Sequence, residues 1–494
     1  MLICLGVAAG VPASVGAQPA AHRTDGTFTP FTPPTLPTTE DRPLPIDLPT
    51  ALQLAGVQPI DVALATERVR LASAQLSRAR AAWLPTIYVG VDYYRHDGEI
   101  QDVAGNVFPT GKGNFTAGAG PSAVIATSDA LFGPLAARQT VRAREASLQA
   151  ALNDTLLAVA EAYFNVQQAR GELAGAEDAA KRANELITRA EKFSAPAGLV
   201  PPVEVTRVRV EAARRREAVR LARERWKTAS AELSRLLRLD AAAVVMPQEP
   251  PHLLVSLVRP EVPVDELIQV GLTNRPELAS DQAFVEATLA RLRQEKLRPL
   301  TPSIVLRGAT TNPAGNLGSG VFGGGHDGAA WNWGGRNDLD LQIVLEFQNL
   351  GLGNKARVRE RRSENQLAVL ELFRTQDRVA AEVAQAHAQL SSAVGRLADA
   401  EAAVKDAVDL AEKNAAALGQ TTEVRGTQVL IVRPQEVVAA LQALAQAYAD
   451  YYGAVGDYDR AQFRLYRALG HPAQSLACQP PAVQAPAVPP WANP

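Results

Sequence analysis

Residues 83–94 read WLPTIYVGVDYY, and 217 positions later residues 300–311 read LTPSIVLRGATT. In each, a proline (Pro85, Pro302) precedes a hydroxyl residue and an isoleucine, with a helix-like stretch upstream. Proline disfavours helix for the residue before it, so both sites mark a helix giving way to a strand. After Pro85 the alternation sets in at once, with Ile87, Val89, Val91 and Tyr93 on one face. One such transition would be unremarkable. Two at a fixed offset make the chain a candidate duplication.

Other residues keep the offset. Pro59 falls on Pro276, Arg138 on Lys355, and Val141-Arg142 on Val358-Arg359. Further on the offset grows to 232, where Glu204-Val205 meets Glu436-Val437, Trp226 meets Tyr458, and Leu233 and Leu237 meet Leu465 and Leu469. Drift of this kind places extra residues in loops or hairpin tips. Each half then reads helix, strand, strand, long helix, hairpin, long helix.

The first half, 48–245, has its first helix at about 63–82 and its strands at about 86–94 and 122–132. The second, 263–472, has strands at about 303–310 and 338–348, and residues 246–262 link the two. In the last strand Leu339, Leu341, Ile343, Leu345 and Phe347 alternate with Asp340, Gln342, Glu346 and Gln348. An apolar face opposite an acid-and-amide face suits a strand between lipid and water, and equally a strand of a soluble sheet. The long helices carry a different signal. From Val205, steps of three and four reach Val208, Ala212, Arg215, Val219, Ala222, Trp226, Ala229, Leu233 and Leu236, apolar except at Arg215. That is a coiled-coil seam. The helix before it, about 135–192, would be roughly 85–90 Å long at 1.5 Å per residue, and needs neighbours along its whole stripe.

Composition agrees with long helices packed through small residues. The chain has 494 residues, 50 Lys+Arg against 52 Asp+Glu, and 5% aromatics. That balance offers no basic face for nucleic acid. Residues 1–17 are apolar and end in Val15-Gly16-Ala17, as an export signal does, though without the usual basic start. Cys4 lies inside that segment and lacks a small residue before it, so a lipid-anchored cysteine is not expected. Residues 18–47 form a Pro/Thr-rich strap, and 473–494, with Cys478, a Pro-rich tail expected to be disordered. After residue 20 no apolar run reaches the roughly 18 residues of a transmembrane helix. A membrane could still be crossed by strands. Four strands cannot close a barrel, and open edges in lipid leave backbone groups unpaired, so such a chain must oligomerise.

Together, WLPTI and LTPSI at the transitions, GLVPPVEVTRVRVEAARRR at 198–216, PQEVVAALQALAQAYADYY at 434–452 and RLYRALG at 464–470 resemble the TolC-like family of outer-membrane efflux proteins. The resemblance covers about residues 48–472. It implies a mainly α fold with a small β part: a homotrimer with a twelve-stranded transmembrane barrel, four strands per chain, continuous with an α-helical periplasmic tunnel. It also implies an inner-membrane pump, a periplasmic adaptor and outer-membrane lipid as partners, in a tripartite efflux or type I secretion system, and no cofactor. The adaptor would dock at the hairpin tips, here Gly198-Leu199-Val200 and the residues before Pro434. Glu436 falls where the family carries an inward carboxylate at its closed end, with Glu204 its counterpart in the first half. The family's next acidic position is Ala439 here. A threefold carboxylate ring would favour cations; a glutamate at a helix start is also simply well placed near a positive dipole.

Gly318-x-Gly320-x-x-Gly323 matches a dinucleotide-binding pattern in letters but is followed by more glycine and a strand, not a helix. The glycine-rich 311–337 stretch is expected to be an extracellular loop. Trp331 and Trp333, with Tyr88, Tyr93 and Tyr94, are candidates for interfacial girdles. The histidines (His22, His96, His252, His326, His387, His471) lack metal-ligand spacing, and no catalytic motif stands out. The alternative is a periplasmic coiled-coil scaffold or adaptor, which explains the seams but not the paired strands in both halves.

Overall fold

The computed structural model describes residues 42–57, 59–194, 200–307, 320–326, 332–337, 339–424 and 427–471. The expected signal segment and tail, Cys478, and tip residues Gly198 and Leu199 lie outside them. In chain order the first half holds β1 (Arg42–Ile46), α1 (Leu48–Ala55), α2 (Ile60–Ala81), β2 (Thr86–Gln101), β3 (Val107–Ala126), α3 (Thr127–Ser194), α4 (Pro202–Leu237) and β4 (Ala243–Pro247). The second holds α5 (Val264–Asn274), α6 (Pro276–Leu297), β5 (Ser303–Arg307), β6 (Gly320–His326), β7 (Asn332–Arg336), β8 (Asp340–Val344), α7 (Leu352–Ala417), β9 (Thr421–Val424), β10 (Thr427–Leu430) and α8 (Pro434–Ala468). The fold is mainly helical with a small strand part, and the two halves repeat the same order.

Four expected strands become a longer sheet with different bounds. The second strand of the first half is not 122–132: it is β3, ending at Ala126, and α3 starts at Thr127, well before residue 135. The glycines of 111–120 mask strand propensity, but pairing along all of β2, from Thr86↔Ser122 to Gln101↔Val107, holds them extended. In the second half the strands expected at 303–310 and 338–348 are regular at 303–307 and 340–344. Much of the supposed loop is strand too, since β6 and β7 pair as a hairpin. On β3, the register shifts by nine residues between its β5 pairs (Ser122↔Arg307) and its β6 pairs (Ala117↔Val321). The same nine recur between β5–β8 and β6–β7 (Arg307↔Asp340, Gly320↔Arg336). The sheet therefore has four tracks, β2, β3, β5 with β6, and β8 with β7.

Below the sheet the helices pack in antiparallel hairpins. α3, of 68 residues, spans about 100 Å and contacts α2, α4, α6 and α8. On α4 the predicted seam is the buried stripe: Val205, Val208, Ala212, Ala222 and Leu233 are buried. Its polar break, Arg215, donates to buried Glu211 at 2.7 Å. α3 and α8 approach closely because Gly171 and Gly175 leave room for the rings of Tyr452 and Tyr448. The end of the strap is a core element: β1 pairs in parallel with β4, and Ile46 joins a core with Leu156, Tyr163, Phe164, Leu237 and Phe463. The linker is held from both halves. Gln167 on α3 donates to the Pro250 carbonyl, Asp459 accepts from Val255 N–H at 2.8 Å, and Gln462 accepts from Leu257 and Val258 N–H.

Candidate conduit and its two ends

Because opposite residues of an antiparallel pair share a face, the registers sort the sheet's side chains. On one face Ile125, Ile304 and Ile343 form a row, followed by Ala123, Leu306 and Leu341. Further along stand Ile87, Val89 with Ala119, and then Val91, Ala117, Val321 and Gly335. The row of Tyr93, Phe115, Gly323 and Trp333 closes this face. Trp333 lies over Gly323, where a Cβ would come within 2.8 Å of the indole, and meets Phe115 edge-on at 6.1 Å. The opposite face carries Asp92 with Thr116, Tyr94 with Asn114, then Asn332, Asp340 and Gln342, with Val124, Val305 and Val344 among its apolar members.

Among the described residues nothing covers the apolar face. Val89 is 79% exposed and Ile343 73%. From the Ile343 row to the Trp333 row is ten residues, about 33 Å along a strand. A strand tilt of about 40° reduces that to roughly 25 Å, the height of the apolar band on a membrane barrel. Of the girdle candidates, Tyr93 and Trp333 sit in the aromatic row, Tyr88 and Tyr94 face the other way, and Trp331 lies outside the described residues. Gly320 and Gly323 of the dinucleotide-like pattern are strand residues of β6, without the helix that nucleotide binding needs; Gly318 lies outside the described residues.

At the far end, the helical hairpins α3–α4 and α7–α8 meet in one apolar core of Leu186, Ala190, Val200, Val205, Leu418, Val432, Val437 and Leu441. Val200 is thus a packing residue as well as a tip residue. Gly419 can adopt φ +96 and lies so close to Phe193 that any side chain there would collide with the ring. The two tips differ: residues 418–433 connect the second hairpin, against 195–201 in the first, and the surplus forms the β9–β10 ribbon. Sequence reasoning missed that ribbon, although TTEV and TQVL carry β-branched residues on either side of an Arg-Gly pair, a hairpin signal.

Glu436 is exposed in the first turn of α8. Glu204, in the first turn of α4, is half-buried and accepts from Arg207 at 2.6 Å. Arg207 also donates to Gln435 at 3.2 Å, so the structure joins the two helix starts through Arg207. Further up, α3 and α8 are latched. The Tyr448 hydroxyl donates to Asp178 at 3.1 Å, Arg182 donates to the same carboxylate oxygen at 2.8 Å, and Arg182 reaches Glu412 of α7 at 3.8 Å. Burial, then the Asp178 carboxylate, pushes the Tyr448 phenol up. Nothing in the sequence marked this latch, because its members come from three helices.

Among the described residues no helix is long and apolar enough to cross a membrane, and no cluster of His, Cys, Asp or Glu is placed to hold a metal. Residues 51–237 match a family described as outer membrane efflux protein. No curated protein matches. Among solved structures, the outer-membrane channel OprN aligns at 17% identity and TM-score 0.67, over 86% of this chain and 90% of that one. The CmeC outer membrane channel of Campylobacter jejuni aligns at 15% and 0.66, over 86% and 85%. The open state of the MtrE outer membrane channel of Neisseria gonorrhoeae aligns at 17% and 0.65, over 86% and 89%.

Proposed function

We propose that this chain, which matches the outer membrane efflux protein family over residues 51–237 and has the fold of outer-membrane efflux channels, is itself such a channel, a passive exit duct. The carrying observation is the sheet: an unpartnered apolar face of bilayer height, bounded by an aromatic row, opposite a polar face. Among the described residues its β2 edge and its β7–β8 edge have no partner. In lipid those edges must be paired, so copies of the chain join edge to edge. Three copies close twelve strands around a lumen lined by Asp92, Tyr94, Asn114 and Gln342, and their helices continue it as a tunnel through the periplasm.

The tips are the periplasmic end. An adaptor docks on them, through Gly198-Leu199-Val200 and the 418–433 connection, and couples the duct to an inner-membrane pump that supplies the energy. In the closed state three copies of Glu436 ring the aperture, and the Tyr448–Asp178–Arg182 latch holds α8 against α3. Catalysis has no part in this. The duct offers passage between a sealed lipid-facing wall and a polar interior.

Single-channel conductance of the purified protein in planar bilayers tests the reading, for wild type and Glu436→Ala. Discrete, long-lived steps establish a pore, and altered conductance or divalent block in the variant places Glu436 at the constriction. Steps untouched by the substitution keep the duct and remove Glu436 from its gate. Silence from an inserted, folded oligomer would overturn the duct in favour of a periplasmic coiled-coil scaffold.

A further inference from the structure

We infer that the helix ends just below the sheet form a collar that binds the anionic phospholipid headgroups of the periplasmic leaflet. The inference rests on the reading of the sheet as the membrane-spanning part. All four long tracks of the sheet pass into helices at this level: α2 into β2, β3 into α3, α6 into β5, and β8 into α7. Each junction exposes large apolar side chains without a partner: Leu84 after α2, Leu131 at the start of α3, Leu300 after α6, and Phe347 and Leu350 before α7. Leu350 is 99% exposed and has φ +57, in the left-handed region that a leucine rarely occupies. Among the described residues nothing compensates for either feature. Acyl chains at the lower edge of the apolar band would.

One layer further from the sheet the character changes from apolar to basic. Lys355, Arg357, Arg359 and Arg362 lie within about 15 Å of the start of α7, all exposed. Arg291, Arg293 and Lys296 stand in the last two turns of α6, and Arg78 and Arg80 in the last turn of α2. None of these has a carboxylate within ion-pair distance among the described residues. Toward the tips ion pairs are frequent, with Arg182, Arg207, Arg209, Arg215, Arg223 and Arg225 each on an acid. The acids near the collar are largely engaged elsewhere: Asp129 and Glu295 by Arg298, and Glu364 by Arg361. Glu360 is the acid left among the α7 cations. The chain as a whole carries a net charge of −2, so this concentration is local.

An apolar ring followed within one Debye length or two by unpaired arginine and lysine is the layering of a phospholipid leaflet, acyl edge and then phosphate. Arginine binds phosphate oxygens through its planar fork, and lysine and arginine stems lie along apolar surface while their charged ends reach the headgroups. A trimer would multiply the collar threefold around the barrel.

The test uses the full chain in vesicles of phosphatidylcholine with spin-labelled phosphatidylglycerol or spin-labelled phosphatidylcholine, with conductance recorded on the same preparation. The immobilised fraction of label should favour phosphatidylglycerol by about threefold or more at low salt and lose that preference in high salt. Lys355→Gln, Arg357→Gln, Arg359→Gln and Arg362→Gln combined should sharply reduce the preference while conductance persists. Glutamine keeps helix propensity, and among the described residues these side chains make no hydrogen bond or ion pair. Neutralising Arg214, Arg216, Arg220 and Arg223 on α4, away from the sheet, should leave the preference intact. Equal immobilisation of both lipids by a conducting wild type overturns the collar and spares the duct, as does a preference that survives the α7 substitutions. Absence of conductance in both lipids overturns the duct on which the inference rests.

Discussion

Glycine has opposite meanings at different points of the long helices. At Gly171 an added Cβ would lie 2.4 Å from the Tyr452 ring, and at Gly175 2.7 Å from Tyr448, so Gly→Ala at either should destabilise by about 1–3 kcal/mol through overpacking. Gly395, exposed on α7, has nothing within 4 Å, so Gly395→Ala should stabilise by up to about 1 kcal/mol through helix propensity alone. Heat-dissociation midpoints of the detergent-solubilised oligomer would separate the two; equal midpoints would refute the close approach of α3 and α8. Asp459 is a second residue-scale case. Its carboxyl is buried, accepts from Val255 N–H, and leaves Oδ2 without a partner, so burial raises its pKa well above the usual range. The folded chain then keeps a proton that the unfolded chain releases above about pH 4. Stability contributed by this group must therefore fall as pH rises toward the folded-state pKa. Asp459→Asn should remove that slope, with its advantage over wild type growing with pH in melting experiments from pH 4 upward.

Elements are joined by polar contacts that differ in burial, and their removal should have different effects. Arg275, between α5 and α6, is almost fully buried and binds Glu277 at 3.1 Å and Glu382 of α7 at 2.6 Å. It also donates to the carbonyls of Arg467 and Ala468 at the end of α8. Arg275→Met strips two carboxylates of a buried partner and should cost about 3–5 kcal/mol. The Tyr448–Asp178 contact is less enclosed, and Tyr448→Phe should cost only about 1 kcal/mol while loosening α8 from α3. If that latch restrains the aperture, the variant shows larger or more frequent open steps with an unchanged fold; unchanged conductance would make the contact merely structural. How much of this was legible in the sequence divides along the same line. The seam from Val205 and the transitions at Pro85 and Pro302 are local patterns, so periodicity and backbone restriction disclosed them. The strand character of residues 107–121 and of β6 and β7 was hidden, because glycine carries no propensity and only the cross-strand register holds it extended. The Asp178–Arg182–Tyr448 latch and the Arg275 cluster join residues far apart in sequence, and no local signal marks them. Glu436 was picked by resemblance, and it stands exposed in the first turn of α8.

For the whole molecule the registers make a demand that no single element makes. Residues of one strand that differ by a single position face different solvents, so neighbouring substitutions should have opposite outcomes. Val89 pairs with Ala119, near mid-height between the Ile343 and Trp333 rows. Asp92 stands three positions along the same strand, on the opposite face. Val89→Lys places an ammonium against acyl chains near the middle of the band and should cost about 2–4 kcal/mol per chain. In a closed trimer that penalty is incurred three times in one assembly, so the membrane-inserted oligomer should be largely lost. Asp92→Lys puts the same charge on the polar face, where water remains, and the oligomer should assemble with an altered ion preference. Refolding into bilayers, followed by unheated gel mobility and reversal-potential measurements, reads both. Equal tolerance of the two lysines would mean that both faces meet water, and the sheet would be a soluble one. Loss of assembly on Asp92→Lys with Val89→Lys tolerated would invert the assignment of faces. Only sensitivity at Val89 with tolerance at Asp92 fits strands that must close around a lumen by joining copies of the chain.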